Sequence, residues 1–225
     1  MERKWKWILA ICVACVALAS LALAFYFASP PSPPAQQTPQ TLKVFHAGSL
    51  AVPFSEIEEE FETSHPGVDV QRESMGSVQA VRQVTDVGKR ADVLAVADYS
   101  LIPQMMFPEH ADFVVKFARN ELVLAYTEKS RHSSAINESN WHEILRLPDV
   151  TFGFSNPNLD PCGYRALIAM QLAEIYYNDS SIFDDLVCEN TAITVSESEN
   201  GFLVEVPAEL KPNTRKVVVR DKSVA

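Results

Sequence analysis

The sequence predicts an α/β fold with a largely parallel sheet and helices on both faces. Three observations carry this expectation. From Leu42 to Met106, short β-rich runs alternate with helical patterns in the order β-α-β-α-β-α, the order that generates parallel strands. The residues from Trp141 onward again mix short strands with helices. Hydrophobic residues make up 47% of the chain and aromatics 9%, enough to build a core and too much for intrinsic disorder.

The 225 residues are not expected to form one unit. Met1–Lys6 is basic, and Ile8–Ala28 runs uncharged for 21 residues. The apolar region of a signal peptide is shorter, about 7–15 residues, whereas a spanning helix needs about 20. Residues 1–28 are therefore expected to be a retained N-terminal membrane anchor with its basic end inside; a signal peptide cleaved near Ala28–Ser29 is the alternative. Both readings export the remainder to the extracellular face of the cell membrane. Residues 29–41 hold five prolines and no charge, a Pro-rich linker that favours extended polyproline conformation. It is either a stalk or a leader with no spacing role.

Met1–Lys6 contains three basic residues and one acidic residue; setting these aside leaves 16 Lys and Arg against 28 Asp and Glu, a net charge of −12. Such an excess lacks the basic footprint of a nucleic-acid binder. The strands and helices follow in order. Leu42–His46 alternates as a strand, and Val52–His65 carries Val52, Phe54, Ile57 and Phe61 at helical spacing until Pro66-Gly67 stops it. Val68–Glu73 is the next strand, Val78–Val87 the next helix, Ala91–Ala97 a buried strand and Tyr99–Met106 a short helix before Pro108. Phe113–Ala118 and Glu121–Tyr126 read as two more strands. A polar loop leads to a short helix at Trp141–Leu147, a strand at Val150–Phe154 and a strong helix at Tyr164–Tyr177. Ala192–Val195, Phe202–Val206 and Val217–Val219 are the last strands. The division expected is a first α/β lobe over 42–124 and a second over 125–225, with a ligand cleft between them where strand ends and helix N-termini meet.

Two Gly-Ser steps stand out. Gly48-Ser49 and Gly76-Ser77 each lie between a strand and a helix. There the N–H groups of a first helical turn are unsatisfied, the helix dipole adds positive potential, and glycine permits close approach. Two such steps on adjacent strand ends can bind an anion without Lys or Arg; ordinary helix capping is the other reading. The run Ser155–Arg165, SNPNLDPCGYR, is a third loop before a helix, with Asp160 as cap and Pro161 at the first helical position.

Together LKVFHAGSL, ESMGSVQAVRQV, KRADVLAVADYSLIP, NELVLAYT and FGFSNPNLDPCGYRA resemble the archaeal tungstate/molybdate-binding proteins of ABC importers, from about Leu42 onward. The resemblance implies a type II periplasmic-binding-protein fold, two lobes joined by a hinge, that captures tungstate or molybdate and hands it to a permease and ATPase complex. It implies Gly48 and Ser49 in the first oxyanion loop, Ser77 in the second, and Asp160, Pro161 and Cys162 in the third, with the Asp160 carboxylate meeting the metal of the bound oxyanion. The family completes that metal centre with a second carboxylate, after a strand and run like Val217–Lys222. The matching position here falls at or near Ala225, which has none. The family's C-terminal return segment, with a pocket tyrosine, is likewise missing. The expectation is therefore a truncated relative with weak or no binding and a marginal fold. A binding protein for sulfate or phosphate is the same-fold alternative.

No enzyme is expected: neither Ser49 nor Ser77 sits in G-x-S-x-G, and no His-Asp pair is placed to activate them. A membrane-tethered interaction domain is the reading from a third class. The histidines show no metal-ligand spacing, no cofactor is expected, and the protein should be a monomer. Cys162 and Cys188 either form a disulfide, which an exported location permits, or remain two thiols. Asn137 and Asn178 head N-glycosylation sequons.

Overall fold

The computed structural model describes residues 39–199 and 201–221, together with 15, 18–21 and 23. Met1–Thr38 and Pro39–Ala225 are two separate units. Most of the expected anchor, the linker over residues 29–38 and Ala225 lie outside the described residues. Among the described residues no helix is long and apolar enough to cross a membrane.

The second unit opens with strand β1 (Gln40–Ala47), a single 3-10 turn at Gly48–Leu50 and helix α1 (Ala51–Ser64). Strand β2 (Val68–Met75), helix α2 (Ser77–Thr85), strand β3 (Val93–Ala95) and helix α3 (Leu101–Met105) follow. The three strands form one parallel sheet in the order β2-β1-β3. Only the last four residues of β1, Val44–Ala47, are buried, so the sheet packs best at the end from which its loops emerge. There Phe45, Met75 and Ala80 form one apolar cluster, and Val78, Val81, Leu101, Ile102 and Met106 form another.

A second region has its own core. Helix α4 (Trp141–Arg146), strand β4 (Phe152–Ser155), helix α5 (Pro161–Tyr177), a π-helical turn at Asp184–Cys188, strands β5 (Thr194–Ser198) and β6 (Gly201–Glu205) and strand β7 (Val217–Arg220) make it up. β4 pairs in parallel with β7, and β5 with β6 as an antiparallel hairpin. Leu145, Phe154, Leu167, Met170, Ile182, Phe183, Leu186 and Val217 are buried together around them. The α/β fold with parallel pairing agrees with the sequence reading, and the predicted helices and most strands are found within a few residues.

The two strands expected at Phe113–Ala118 and Glu121–Tyr126 are not formed. Residues 112–126 have no regular structure, and Phe113 is 76% exposed. Alternating apolar residues make a strand only when a neighbouring backbone accepts and donates along them. Here a cavity of about 630 Å³ lies between residues 123–126 and β4, with Ser155, Cys162 and Arg220 also in its wall. Among the described residues β4 pairs with β7 alone, and residues 123–126 make no ladder with it across that gap. The buried Ser155 Oγ at its edge has no hydrogen-bond partner among the described residues. The segment is pinned instead by side chains: Phe117 lies 6.1 Å from Phe54 between ring centroids, and the Lys116 ammonium sits 3.5 Å from the Tyr99 ring centroid.

Candidate functional site

The first two loops are neighbours because their strands are in register. Ala47 pairs with Met75 and His46 with Ala95, so the turns after β1, β2 and β3 emerge along one edge of the sheet. Gly48 is buried and Ser49 half-buried in the 3-10 turn, whose start has no side-chain cap. His46 is fully buried beneath it: its Nδ1 donates to Ala47 O at 2.8 Å, its ring leans on Phe54, and its Nε2 is 3.5 Å from an Arg72 nitrogen. Arg72 is held in turn by Glu58.

Gly76 caps α2 in extended backbone conformation, and Ser77 is its first helical residue. The Ser77 side chain is fully buried, and its Oγ accepts from Ala97 N at 2.9 Å. By accepting there it ties the second loop to the third strand end, and its own proton remains available to donate. The amides of Val78 and Gln79 do not face an open crevice. Both donate to Leu159 O, at 3.0 and 3.3 Å.

Asp160 caps α5 as the sequence predicts. It is 2% exposed, its Oδ1 accepts from Cys162 N at 2.8 Å, and Pro161 opens the helix. The loop before it is wound by Asn156, whose Oδ1 accepts from Asn158 N and whose carbonyl accepts from Leu159 N and Asp160 N. A Cβ on Gly163 would press into Ser155 O and come within 2.7 Å of Pro157 N, so only glycine lets the helix start so close under the loop. Gly76 is bound by the same constraint, with Leu159 O and Asp221 O against it.

Cys162 and Cys188 are both thiols, so the disulfide alternative is not realised. Distance accounts for it. Phe183 N, five residues before Cys188, donates to Glu174 Oε1 at 2.9 Å, and Glu174 lies twelve residues along α5 from Cys162, about 18 Å at the rise of an α-helix. A disulfide bridges Cα atoms about 6 Å apart. Burial pushes the Cys188 thiol up to about 12, with Asp184 adding to the shift, which makes it an inert core group. Asn137 and Asn178 are exposed; Asn178 ends α5 in left-handed conformation.

Three residues to which the sequence reading gave no site role, Asp98, Tyr164 and Arg165, join these loops. Asp98, just past β3, accepts from Tyr164 OH at 2.6 Å and lies 2.9 Å from an Arg165 nitrogen. Tyr164 and Arg165 belong to the first turns of α5. The sequence signal for the contact is weak, because the partners are 66 positions apart. The assembled edge thus brings together the Gly76-Ser77 step, the Asp160 cap and a second buried carboxylate, Asp98.

The family described as bacterial extracellular solute-binding protein matches residues 42–209, well over half of the chain. The chain belongs to this family. The solute-binding protein is 52% identical over 188 residues to an uncharacterized solute-binding protein of Methanococcus maripaludis strain C5, covering 83% of this chain and 54% of that one. It is 50% identical over 183 residues to one from Methanoculleus marisnigri, covering 81% and 51%. It is also 50% identical over 188 residues to the molybdate/tungstate-binding protein WtpA of Pyrococcus abyssi, covering 80% and 53%. The solute-binding protein thus spans about half the length of the curated relatives it matches. The parallel sheet with its loops on one edge is the feature it shares with the α/β folds that hold ligands at strand ends.

Proposed function

We propose that this solute-binding protein captures a tetrahedral metal oxyanion, tungstate or molybdate, outside the cell and delivers it to an ABC permease and ATPase complex while held at the membrane by residues 1–28. Ser49 and Ser77 donate hydroxyl hydrogen bonds to the oxo groups, Gly48 lets them approach, and the Asp160 carboxylate faces the metal with Pro161 and Cys162 forming the turn beside it. Donors of this kind select the unprotonated anion, because a proton on the ligand would leave a donor unpaired. The observation that supports the reading is the meeting of the Gly76-Ser77 step with the Asp160 loop, where Leu159 O lies directly against Gly76. Support from likeness comes from WtpA of Pyrococcus abyssi.

A thermal-shift titration of the full chain with tungstate, molybdate, sulfate and phosphate tests it. Tungstate and molybdate should raise the midpoint with concentration, by a stabilisation of about 2.7 kcal/mol at a hundredfold excess over Kd. A rise with sulfate or phosphate alone would replace the ligand class. A second reading, weak or no binding, is favoured by the Val78 and Gln79 amides, since those spent on Leu159 O are not available to an anion. A flat titration with all four anions would decide for it.

A further inference from the structure

Asp98 is only 8% exposed, yet it is charged. Burial opposes that charge; hydrogen bonds from Tyr164, Ser100 and Arg165 outweigh it and hold the carboxyl well below the usual range. The carboxylate is aimed before it meets its distant partners. Ser100 N donates to its Oδ1 at 3.0 Å and Ser100 Oγ at 2.7 Å, within one turn. That leaves Oδ2 for Tyr164 OH and Arg165. The Tyr164 side chain also packs on the cluster of Val78, Val81, Leu101, Ile102 and Met106, which belongs to the β1–β3 region, although its backbone belongs to α5.

These contacts bracket the Asp160 turn. On one side, Leu159 O takes the amides of Val78 and Gln79. On the other, Tyr164 and Arg165 reach Asp98. The Asp98 contacts join two regions whose buried clusters are distinct, and Tyr164 is the α5 side chain that reaches across into the β1–β3 cluster. A turn fixed at both ends has its carboxylate placed before any ligand arrives, which removes ordering cost from binding.

We propose that Asp98, with Tyr164 and Arg165, is a positioning clasp that holds the β4–β7 region closed on the β1–β3 region and sets the distance between the Asp160 turn and the Gly76-Ser77 step. The role in ligand retention rests on the oxyanion reading given above; the closure itself does not. A clasp of this kind acts on escape. Exit requires the two regions to part and entry passes through the same opening, so loss of the clasp should quicken dissociation and should not slow association.

The test uses the full chain carrying Asp98→Asn, with Tyr164→Phe as a milder variant that removes one hydroxyl and keeps the ring. Amide hydrogen exchange by NMR is read first, without ligand. Val78 and Gln79 should exchange about tenfold faster in both variants, because their acceptor is Leu159 O across the closure, while amides inside α5 and β1 hold their rates. Unchanged exchange at Val78 and Gln79 would overturn the clasp, and faster exchange everywhere would reduce Asp98 to a general structural role and overturn it too. Stopped-flow measurement with tungstate is read second. Dissociation should quicken about tenfold with association no slower; an unchanged dissociation rate would overturn the positioning role. If the unsubstituted chain binds neither tungstate nor molybdate, the oxyanion reading falls, and the exchange result alone decides the clasp.

Discussion

The helices α2 and α5 begin in similar ways, each after a strand and a glycine- or proline-bearing turn, and each with orphan amides to satisfy. They satisfy them differently. The start of α5 is self-contained: Asp160 caps its own helix, and Asn156 winds the loop that presents it. The start of α2 has no side-chain cap, and two of its amides bond to Leu159 O from the other region. One terminus is built by its own sequence neighbours. The other is complete only when the two regions are together. For the proposed site this asymmetry would be useful, since a locally finished turn can carry a carboxylate at fixed orientation while the other terminus depends on the two regions meeting.

The most damaging way to break the comparison is Gly163→Ala. The added methyl would meet Ser155 O and Pro157 N, both backbone, so the α5 start or the loop must move. We expect a loss of about 3 kcal/mol, the upper end of overpacking, from urea denaturation. If α5 is the self-contained terminus, the damage should fall in the β4–β7 region, with amide exchange in β1 and β2 unchanged.

Asp160→Ala should come next. It removes the cap from Cys162 N and should cost about 1–2 kcal/mol by the same measurement. It should also abolish any tungstate-induced thermal shift. Asp160→Asn keeps an acceptor at the cap and should recover most of the stability but not the shift. Recovery of both would mean that Asp160 serves the helix alone.

Gly76→Ala sharpens the contrast at the other terminus. Its methyl would strike Leu159 O and Asp221 O, atoms of the other region. Parting the regions relieves that clash, so the cost should stay within about 1 kcal/mol. The sign to look for is faster exchange at Val78 and Gln79 with α5 unaffected. A loss as large as that of Gly163→Ala would show that the two termini are equally integral and would end the distinction drawn above.

The same contrast explains what was legible in the sequence. The Asp160 cap and the Pro161 start follow from neighbouring residues and could be read directly. So could the order of β1 to α3, since apolar periodicity is a local record of which face is buried. The Leu159–Val78 bonds and the Asp98–Tyr164 contact could not, because nothing in either partner's neighbourhood encodes the other. Residues 113–126 show the opposite error. Val114, Val115, Leu122, Val123 and Leu124 have the composition of strands, but composition supplies only one side of a ladder, and for Val123 and Leu124 β4 lies across a cavity. The Ser77 hydroxyl was legible as a polar group at a helix start, but its use by Ala97 N depends on β3 lying beside β1.

The smallest expected effect lies in acid, and it tests the joint between the two termini. The Asp98 carboxyl is depressed in the folded chain, against about 3.9 when unfolded. A depressed carboxyl contributes its full stabilisation above the unfolded value and loses it as pH falls below about 4 toward the lower folded value. Many other carboxylates titrate in that range, so the quantity to measure is the difference in urea midpoint between the unsubstituted chain and Asp98→Asn. It should be largest near pH 6 and shrink as the solution is acidified below about 4. Arg165 is half-exposed, so solvent screens its share, and the Tyr164 hydrogen bond should carry more of the difference than the ion pair. Raising the salt concentration therefore should leave most of the difference in place; a difference that vanishes in salt would transfer the clasp from Tyr164 to Arg165.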